Sequence, residues 1–380
     1  MSGSTRALQR FAGVLLSLLL LAAGWTPCQA PAAPVSYVID ISVDGLGSSY
    51  LKALVDTNQA PNFKRLLTEG AWTYNARDDY DVTVTLPNHV TMVTGRGIQG
   101  TTGHNWTSNV DPGATDTIHK TKGSYVASAF DVAHDNGLRT GMYATKTKFS
   151  LFDQSYNATN GALDLVVPPD NGRDKLDVYY YNSSSTTMTN TFVSAMSTAS
   201  RYNYSFLHYT DLDTAGHGSG WGSTAYNNAI KAVDARLGQI FSLVETDATL
   251  KGKTTILLTA DHGGKGTDHS NPAEPLDYTI PFGAWGATVL PGGNLYAMNA
   301  GVVVDPGTGR PTYGSPNQPI RNGAIANLTL DLLGLGPVPG STINSSQLLA
   351  VPEPSGAVFL ATLAAAAGLL GGLRRLRRRA

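Results

Sequence analysis

Hydrophobic and polar positions follow two alternating patterns along the chain. Short apolar or β-branched runs indicate strands, and the sequence contains them at 36–43, 139–145, 204–209, 254–259 and 278–285. Helices are indicated by apolar residues that recur every three or four positions, or by a proline at the start and a glycine at the end. Such segments are found at 60–70, 127–136, 225–245 and 321–333. Strands that alternate with helices are typical of an α/β fold around a mainly parallel sheet.

Polar side chains that could bind a metal follow several of the predicted strands. They are Asp44; Asp213 with His217; and Asp261 with His262, followed by His269. The carboxyl ends of parallel strands lie at one edge of a sheet, where open α/β proteins bind their ligands. Carboxylate oxygen and imidazole nitrogen together suit Zn²⁺ or a similar divalent ion. The sequence therefore predicts a metal site at this edge, with Asp211 as a competing carboxylate.

A threonine precedes one further predicted helix. The β-branched run at 82–85 breaks at Pro87, and the residues that follow it up to Gly95 are expected to be helical. Thr85 would lie at the start of that helix, where free N–H groups and the helix dipole favour an anion. Taken singly, Thr85 could be an ordinary N-cap and Asp44 an ordinary strand-to-turn junction. Their occurrence together at the strand ends of one predicted sheet favours a functional site.

Composition and charge narrow the class of function. At 380 residues, with 42% hydrophobic and 14% charged residues, the chain is long enough to bury a sizeable core. The formal net charge of -1 includes seven arginines close to the two ends of the chain. Without them, 20 basic residues remain against 28 acidic ones, a net charge near -8. A nucleic-acid-binding surface is therefore not expected.

The beginning of the chain has the pattern of a secretory signal peptide. Residues 1–30 combine a basic start, an apolar run from Phe11 to Trp25 and a small residue at Ala30. The only cysteine, Cys28, lies inside this segment. The mature chain would therefore contain no thiol for catalysis and no disulfide, although it would reside in an oxidising compartment.

The end of the chain, 351–380, combines Pro-Glu-Pro, an apolar run at 356–373 and an arginine cluster. The run is just long enough to span a bilayer, and the arginines are expected on the cytoplasmic side. A plain C-terminal membrane anchor is one interpretation. The order of these features closely resembles the PEP-CTERM sorting signal of Gram-negative bacteria. That resemblance implies export across the inner membrane, processing by an exosortase-type enzyme, and a final location at the cell surface, in the outer envelope or in the extracellular matrix.

Five short motifs, in a fixed order, resemble the alkaline phosphatase superfamily. They are VDG at 43–45, TLPNH at 85–89, TG at 94–95, DTAGH at 213–217 and ADHGG with a later histidine at 260–269. The most similar branch is the type I phosphodiesterase/nucleotide pyrophosphatases, and the match extends over about 37–336. The resemblance implies an α/β three-layer sandwich around a mainly parallel sheet, with loop and cap insertions. It implies a catalytic domain at 35–340, followed by a polar linker at 341–350.

The resemblance also implies two zinc ions. One would be bound by Asp44, Asp261 and His262 with the oxygen of Thr85. The other would be bound by Asp213, His217 and His269. Each ion would have oxygen and imidazole ligands and keep an open position, as a catalytic zinc requires. Two zinc ions about 4 Å apart stabilise both the attacking and the leaving oxygen of an in-line displacement.

In the mechanism that the resemblance implies, the activated Thr85 hydroxyl attacks phosphorus and forms a phosphothreonine, which water then hydrolyses. Asn88 would donate a hydrogen bond to a phosphoryl oxygen, or it would cap the helix after Pro87.

Three departures from the family pattern concern the substrate. Leu86 replaces the aromatic residue against which nucleotide bases stack in nucleotide-cleaving relatives, and the acidic pair before the metal-binding Asp213 becomes Asp211-Leu212. Lys146 and Lys148 lie where some phosphomonoesterases of the superfamily have a basic pair. Two lysines in a loop are otherwise often merely solvated. A sulfatase is disfavoured, because the mature chain lacks the cysteine or serine motif of those enzymes.

The sequence thus predicts an exported, zinc-dependent phosphodiesterase or nucleotide pyrophosphatase that acts on a small phosphate ester. A phosphomonoesterase of the same superfamily is the alternative within the enzymes. A catalytically silent surface or matrix protein is the alternative from another class.

Overall fold

The structure is a computed structural model that describes residues 34–166 and 172–351. The predicted signal peptide and the predicted membrane-spanning run at 356–373 lie outside the described residues. The strands of the described chain belong to one sheet; they are β1 (Tyr37–Val43), β2 (Ala71–Arg77), β3 (Thr140–Ala144), β4 (Val178–Tyr181), β5 (Tyr204–Tyr209), β6 (Thr254–Thr259), β7 (Thr279–Gly286) and β8 (Gly293–Asn294).

The sheet has eight strands in the order β4-β3-β5-β1-β6-β7-β2-β8. β1 pairs in parallel with both β5 and β6, and β3 pairs in parallel with β4 and β5. Only β7 runs against its neighbours, β6 and β2. The predicted α/β fold with a mainly parallel sheet is therefore confirmed. Central strands with helices on both faces are buried throughout, and all six residues of β5 and of β6 are buried.

The helices that connect these strands are α1 (Ser48–Asp56), α2 (Pro61–Thr68), α3 (Thr85–Thr94), α4 (Ile118–Lys122), α5 (Ala129–Asp135), α6 (Ser150–Tyr156), α7 (Ser185–Met196), α8 (Asp211–Ser219), α9 (Thr224–Thr246), α10 (Pro275–Tyr278), α11 (Leu295–Met298) and α12 (Ala324–Leu332). One group of helices consists of α9 with α1, α2, α7 and α8. A second group consists of α12 with α3 and α5. None of the helices in the described ranges is both long and apolar enough to cross a membrane.

Two helices illustrate how the sequence determines these elements. α9 begins after Ser223, whose side chain accepts a hydrogen bond from the backbone N–H of Tyr226, and its apolar stripe is buried as the spacing predicts. α3 is buried along its whole length. It ends at Gly95, which has a positive φ of 62° that glycine adopts without strain.

Some elements differ from the sequence-based prediction. β2 and β4 were not predicted, and the polar residues that follow α6 contribute β4 to the edge of the sheet. Residues 341–350, expected as a polar linker, pack against the domain, because Ile343 and Leu349 are buried in the core. Ile343 also donates its backbone N–H to the carbonyl of Gly95 at 2.9 Å.

Candidate active site

The seven predicted metal-binding residues meet at the carboxyl ends of the central strands. Asp44 follows β1, α8 follows β5, and Asp261 follows β6 after one residue. Because β1 lies between β5 and β6 in parallel register, these three segments emerge side by side at one edge of the sheet. Thr85 is the first residue of α3.

Asp44, Asp261 and His262 form the first group of possible ligands. The Nε2 atom of His262 lies 3.4 Å from Asp44 Oδ1 and 3.2 Å from Asp261 Oδ2. The hydroxyl oxygen of Thr85 is 3.4 Å from Asp44 Oδ1 and 3.4 Å from His262 Nε2. These residues are almost completely inaccessible to solvent. Oδ2 of Asp261 has no hydrogen-bond partner within the described chain.

Asp213, His217 and His269 form the second group. Oδ1 of Asp213 lies 3.3 Å from His217 Nε2 and 3.5 Å from His269 Nε2, and the two Nε2 atoms are 3.1 Å apart. This Oδ1 atom is also buried without a hydrogen-bond partner in the part of the chain that the structure describes.

The two groups adjoin at His262. Its ring stacks on that of His269 with the centroids 3.6 Å apart. Ligand atoms of Asp213, His262 and His269 lie within 4.8 Å of one another, as do those of Asp44, Asp261 and His262. The geometry therefore brings all seven residues together, but it places His262 against both groups rather than against the first alone. Their roles as ligands stay predictions.

The histidines present the nitrogen that a metal needs. Nδ1 of His217 lies 2.9 Å from the carbonyl of Thr267, and Nδ1 of His269 lies 2.7 Å from the carbonyl of Thr83. Nδ1 of His262 is likewise 2.8 Å from the carbonyl of Gly263. A carbonyl only accepts, so each Nδ1 carries a proton, and each Nε2 is the nitrogen that faces the site and could bind a metal in its deprotonated form. Together with the unpartnered carboxylate oxygens, this donor set fits divalent cations.

Three buried carboxylates concentrate negative charge here. Burial and the neighbouring Asp44 raise the pKa of Asp261 well above its ordinary value. Burial has the same tendency at Asp44, but the Lys146 ammonium and hydrogen bonds from His208 and His262 hold the pKa of Asp44 well below its ordinary value. Lys146 is the only lysine or arginine with a salt bridge to these carboxylates among the described residues. Additional positive charge would therefore be stabilised strongly at this site.

The ammonium of Lys146 lies close to the hydroxyl of Thr85, so Lys146 is not merely a solvated loop lysine. Its Nζ is 2.7 Å from Asp44 Oδ2, 2.7 Å from Asp213 Oδ2 and 3.5 Å from Thr85 Oγ. Burial lowers the pKa of this lysine, but the two carboxylates raise it further, so that its pKa lies above the ordinary value. The ammonium of Lys146 therefore lies beside Thr85.

Lys148 contacts Asn109 instead of Thr85. Its Nζ donates to the backbone carbonyl of Asn109 at 2.5 Å and to the side-chain oxygen of Asn109 at 3.2 Å. The same side-chain oxygen accepts the N–H of Leu86 at 2.9 Å. Asn109 is thus held at the start of α3, and its amide nitrogen makes no hydrogen bond within the described ranges. Sequence reasoning missed Asn109, because it lies in a Gly-, Thr- and Asn-rich loop with no distinguishing pattern.

Two predicted substrate contacts do not fit this arrangement. The amide group of Asn88 donates to the carbonyls of Val82 and Val84, at 2.8 and 3.1 Å, so neither of its hydrogens is left for a phosphoryl oxygen. Its oxygen accepts from the backbone N–H of Asp79 and the side-chain amide of Asn322, so its hydrogen bonds are structural. It is not the helix cap expected as the alternative, since no side chain of the described residues caps the start of α3. Leu86 is completely buried, which leaves it no surface for a substrate.

His208, a residue of β5, has a structural role in the site because it holds Asp44. Its Nε2 lies 3.0 Å from Asp44 Oδ2, and its ring is fully buried. His89 has a similar place beside Thr85, since its Nδ1 is 2.8 Å from the carbonyl of Thr85 and its Nε2 is 2.8 Å from the hydroxyl of Ser42. Both histidines fix residues of the site rather than present a free nitrogen to it.

A family model described as type I phosphodiesterase / nucleotide pyrophosphatase matches residues 38–312, which is most of the chain. The chain belongs to this family. Membership supports a phosphoric ester hydrolase, as the motifs predict, and the match spans all seven residues of the two groups.

Solved structures share the fold. Murine ectonucleotide pyrophosphatase / phosphodiesterase 5 aligns with a TM-score of 0.56 at 15% identity, over 83% of this chain and 100% of that chain. An inactive threonine-to-alanine variant of the murine protein, in complex with AMP, aligns with a TM-score of 0.55. A protein of the alkaline phosphatase superfamily from Vibrio parahaemolyticus aligns with a TM-score of 0.53 at 13% identity, over 83% and 70% of the two chains. The predicted alkaline phosphatase-like fold is confirmed.

A curated relative matches over a short segment. GPI ethanolamine phosphate transferase 1 of Emericella nidulans is 38% identical over 89 residues, which are 23% of this chain and 10% of the relative. The chain therefore spans about a tenth of the length of the curated relatives that it matches.

Proposed function

We propose that this protein is a zinc-dependent phosphodiesterase or nucleotide pyrophosphatase with Thr85 as its nucleophile. The observation that carries the proposal is the position of the Thr85 hydroxyl. It lies 3.4 Å from a carboxylate oxygen of Asp44, 3.4 Å from Nε2 of His262 and 3.5 Å from the ammonium of Lys146. The murine relative that is inactive as a threonine-to-alanine variant supports a catalytic threonine here too.

Two zinc ions would be bound, one by Asp44, Asp261, His262 and the oxygen of Thr85, and the other by Asp213, His217 and His269. When bound, they would lower the pKa of the nucleophile and offset negative charge on the phosphoryl group and on the leaving oxygen. This assignment is supported by the unpartnered oxygens of Asp213 and Asp261. It is also supported by the Nε2 atoms of His217, His262 and His269, which face the site because each Nδ1 is bonded to a backbone carbonyl.

The residues of the chain supply two successive displacements. Thr85 Oγ loses its proton to solvent and forms a bond to phosphorus, while the bond from phosphorus to the leaving oxygen breaks and that oxygen takes up a proton from solvent as the leaving group departs. The resulting phosphothreonine is then attacked by water, which restores the Thr85 hydroxyl and releases the phosphate product. Lys146 places a positive charge beside the reacting oxygen, and the free amide of Asn109 can donate to a phosphoryl oxygen at the start of α3.

Phosphomonoester hydrolysis is a second candidate function, and Lys146 is the observation that favours it. A monoester carries one more negative charge than a diester, so a fixed ammonium beside the nucleophile stabilises it more. Burial and the neighbouring Lys146 lower the pKa of Lys148, and its ammonium donates to Asn109 rather than to Thr85. The murine protein in complex with AMP and the phosphodiesterase family model support the diesterase instead.

The substrate class is tested by comparing bis-p-nitrophenyl phosphate with p-nitrophenyl phosphate in wild-type protein and in Lys146→Met. We expect the wild type to prefer the diester. The variant should lose about 100-fold in kcat/KM for the monoester. Its loss for the diester should be several times smaller, because the ammonium interacts with the additional negative charge of the monoester. A strong monoester preference in the wild type would reverse the first choice of substrate. Equal losses on both substrates would exclude charge recognition by Lys146.

Asn109 and Asn88 are separated by a second comparison. Asn109→Ala is expected to lower kcat by roughly 10- to 100-fold, since it removes a donor that reaches the substrate. It should lower the melting temperature less than Asn88→Ala does, because the bond that Asn109 accepts from the N–H of Leu86 is only partly buried. Asn88→Ala is expected to lower stability by about 1–3 kcal/mol, because the buried groups of Val82, Val84, Asp79 and Asn322 lose their partner. Thermal unfolding and steady-state kinetics of both variants decide the point. A stable Asn88→Ala protein with a selective loss of kcat would restore the role expected from the sequence.

We also propose, from the sequence patterns of 1–30 and 351–380, that the protein is exported and that an exosortase-type enzyme removes its tail during export. We expect the mature protein of the native host to lack residues 1–30 and the arginine cluster of 374–379. Intact mass measurement of protein purified from cell-surface and membrane fractions tests this. A product that retains either end would contradict the corresponding signal.

A further inference from the structure

Trp221 lies where the segments that carry both groups of possible ligands come together. It follows α8 directly after Gly220, and its side chain is only 7% exposed. Its backbone N–H donates to the carbonyl of Gly266 at 2.7 Å, which ties the end of α8 to the loop between His262 and His269. This bond holds the backbone of Trp221 in place independently of the contacts that its ring makes.

The indole N–H of Trp221 contacts the turn after β1, which contains Asp44. It donates to the carbonyl of Gly45 at 2.9 Å, and the hydroxyl of Tyr226 donates to the same oxygen at 2.7 Å. The N–H of Gly45 donates in turn to Oδ1 of Asp261 at 3.0 Å. The indole of Trp221 and the hydroxyl of Tyr226 thus both hold the turn that links Asp44 to the carboxylate of Asp261.

The ring itself fills the space between two glycines of the site motifs. A Cβ atom at Gly264 would lie 2.2 Å from the ring, and one at Gly216 would lie 2.6 Å from it. Neither glycine has a positive φ, so contact with the indole, rather than backbone conformation, requires them to lack a side chain. The pattern of glycines in DTAGH and ADHGG is therefore matched to a large flat side chain at 221.

The same ring contacts two histidines of the second group. It lies edge-on to His217 with the centroids 5.3 Å apart and edge-on to His269 at 5.6 Å. These contacts act on rings whose Nδ1 atoms are already held by backbone carbonyls. Trp221 restricts the remaining freedom, which is the tilt of each ring and hence the direction of its Nε2 lone pair.

We propose that Trp221 is a positioning residue that sets the geometry of both metal-binding groups by holding the Asp44, Asp213–His217 and Asp261–His269 segments together. This inference rests on the proposed metal-dependent function. It assigns no contact with the substrate to Trp221, so a change at this residue acts through the ligands.

The test measures metal binding rather than activity alone. Purified wild-type protein, Trp221→Phe and Trp221→Ala are stripped of metal, titrated with Co²⁺ and followed by visible absorption, with Zn²⁺ affinity measured by chelator competition. Trp221→Phe keeps a ring but loses the bond to Gly45. We expect it to weaken Co²⁺ binding about 10-fold and to shift the absorption bands, because outer residues of metal sites contribute 10- to 100-fold to affinity. Trp221→Ala is expected to lose about 100-fold.

Trp72 provides the matched control. It is equally buried, lies on β2 and packs its ring over Gly283, where a Cβ would be 1.8 Å away. Trp72→Phe should lower the melting temperature but leave the cobalt spectrum and the affinity unchanged. Trp221→Phe that matches the wild type in both, or Trp72→Phe that alters both as strongly, overturns the positioning role. Wild-type protein that binds neither Co²⁺ nor Zn²⁺ overturns the proposed function itself and the inference with it.

Discussion

Thr85→Ala is expected to lower turnover of every phosphate ester substrate by at least about 10⁴-fold while the protein stays folded and keeps its metal. The size follows from loss of the atom that bonds to phosphorus, since removal of a nucleophile costs factors of this order or more. Fold and metal binding should persist because the carboxylates and imidazoles of both groups come from other residues. Steady-state kinetics, metal analysis and thermal unfolding of the same sample measure the three properties.

Two further variants make this result specific. Thr85→Ser keeps a hydroxyl at the start of α3 and is expected to retain measurable turnover and to form a phosphoserine detectable by mass spectrometry after rapid acid quenching. Thr94→Ala lies on the same helix and removes a buried hydroxyl that bonds to the carbonyl of Val90 at 2.7 Å. It should change stability but not turnover. Activity that persists in Thr85→Ala would show that another group attacks phosphorus.

The residues at strand ends could be predicted from the sequence because of a general property of parallel sheets. Once β1, β5 and β6 are recognised as neighbouring buried strands, the residues after them must meet at one edge. The short motifs DTAGH and ADHGG keep their ligands close together along the chain. The structure accordingly brings Asp44, Asp213 and Asp261 together although they are far apart in sequence.

Residues whose place depends on packing between distant segments could not be predicted in the same way. Leu86 follows Thr85 directly in the sequence. The rotation of about 100° per residue in the helix points the side chain of Leu86 into the core. Asn88 is a plausible donor until the carbonyls of Val82 and Val84 take both of its amide hydrogens. Asn109 reaches the start of α3 from a loop without periodicity.

Trp221 shows a further limit of reasoning from motifs. It follows the GHG of α8 closely in the chain, yet its partners Gly45 and Gly264 belong to the segments after β1 and β6. The glycines of the motifs appear in the sequence only as turn residues. Their second property, the missing Cβ atoms that accommodate one indole ring, is visible only in three dimensions. Edge strand β4 escaped prediction for a similar reason, since its four residues depend on pairing with β3.

Asp261→Asn and Asp213→Asn are expected to remove metal selectively, one from each group, and to reduce turnover by several orders of magnitude. An amide keeps the size of the carboxylate but loses the negative charge that binds a divalent cation. Each variant should therefore bind about one equivalent of zinc less than the wild type, as measured by mass spectrometry of metals in gel-filtered protein. Lys146 contacts Asp213 but not Asp261, so Asp213→Asn is also expected to lower the pKa of Lys146 towards its ordinary value.

Asp40→Asn separates a charge requirement of the site from a general effect of removing a buried carboxylate. Asp40 lies in β1, is as fully buried as Asp261 and accepts hydrogen bonds from Thr329 at 2.8 and 2.9 Å. Burial raises the pKa of Asp40 well above its ordinary value, so its replacement by an amide removes a carboxyl group whose charged form is already disfavoured by burial. We expect full zinc content and wild-type turnover in Asp40→Asn. If Asp213→Asn and Asp261→Asn also retained full zinc content, the two-metal assignment would be wrong. Each variant would then bind its ion with only two of the charged or imidazole ligands of that group.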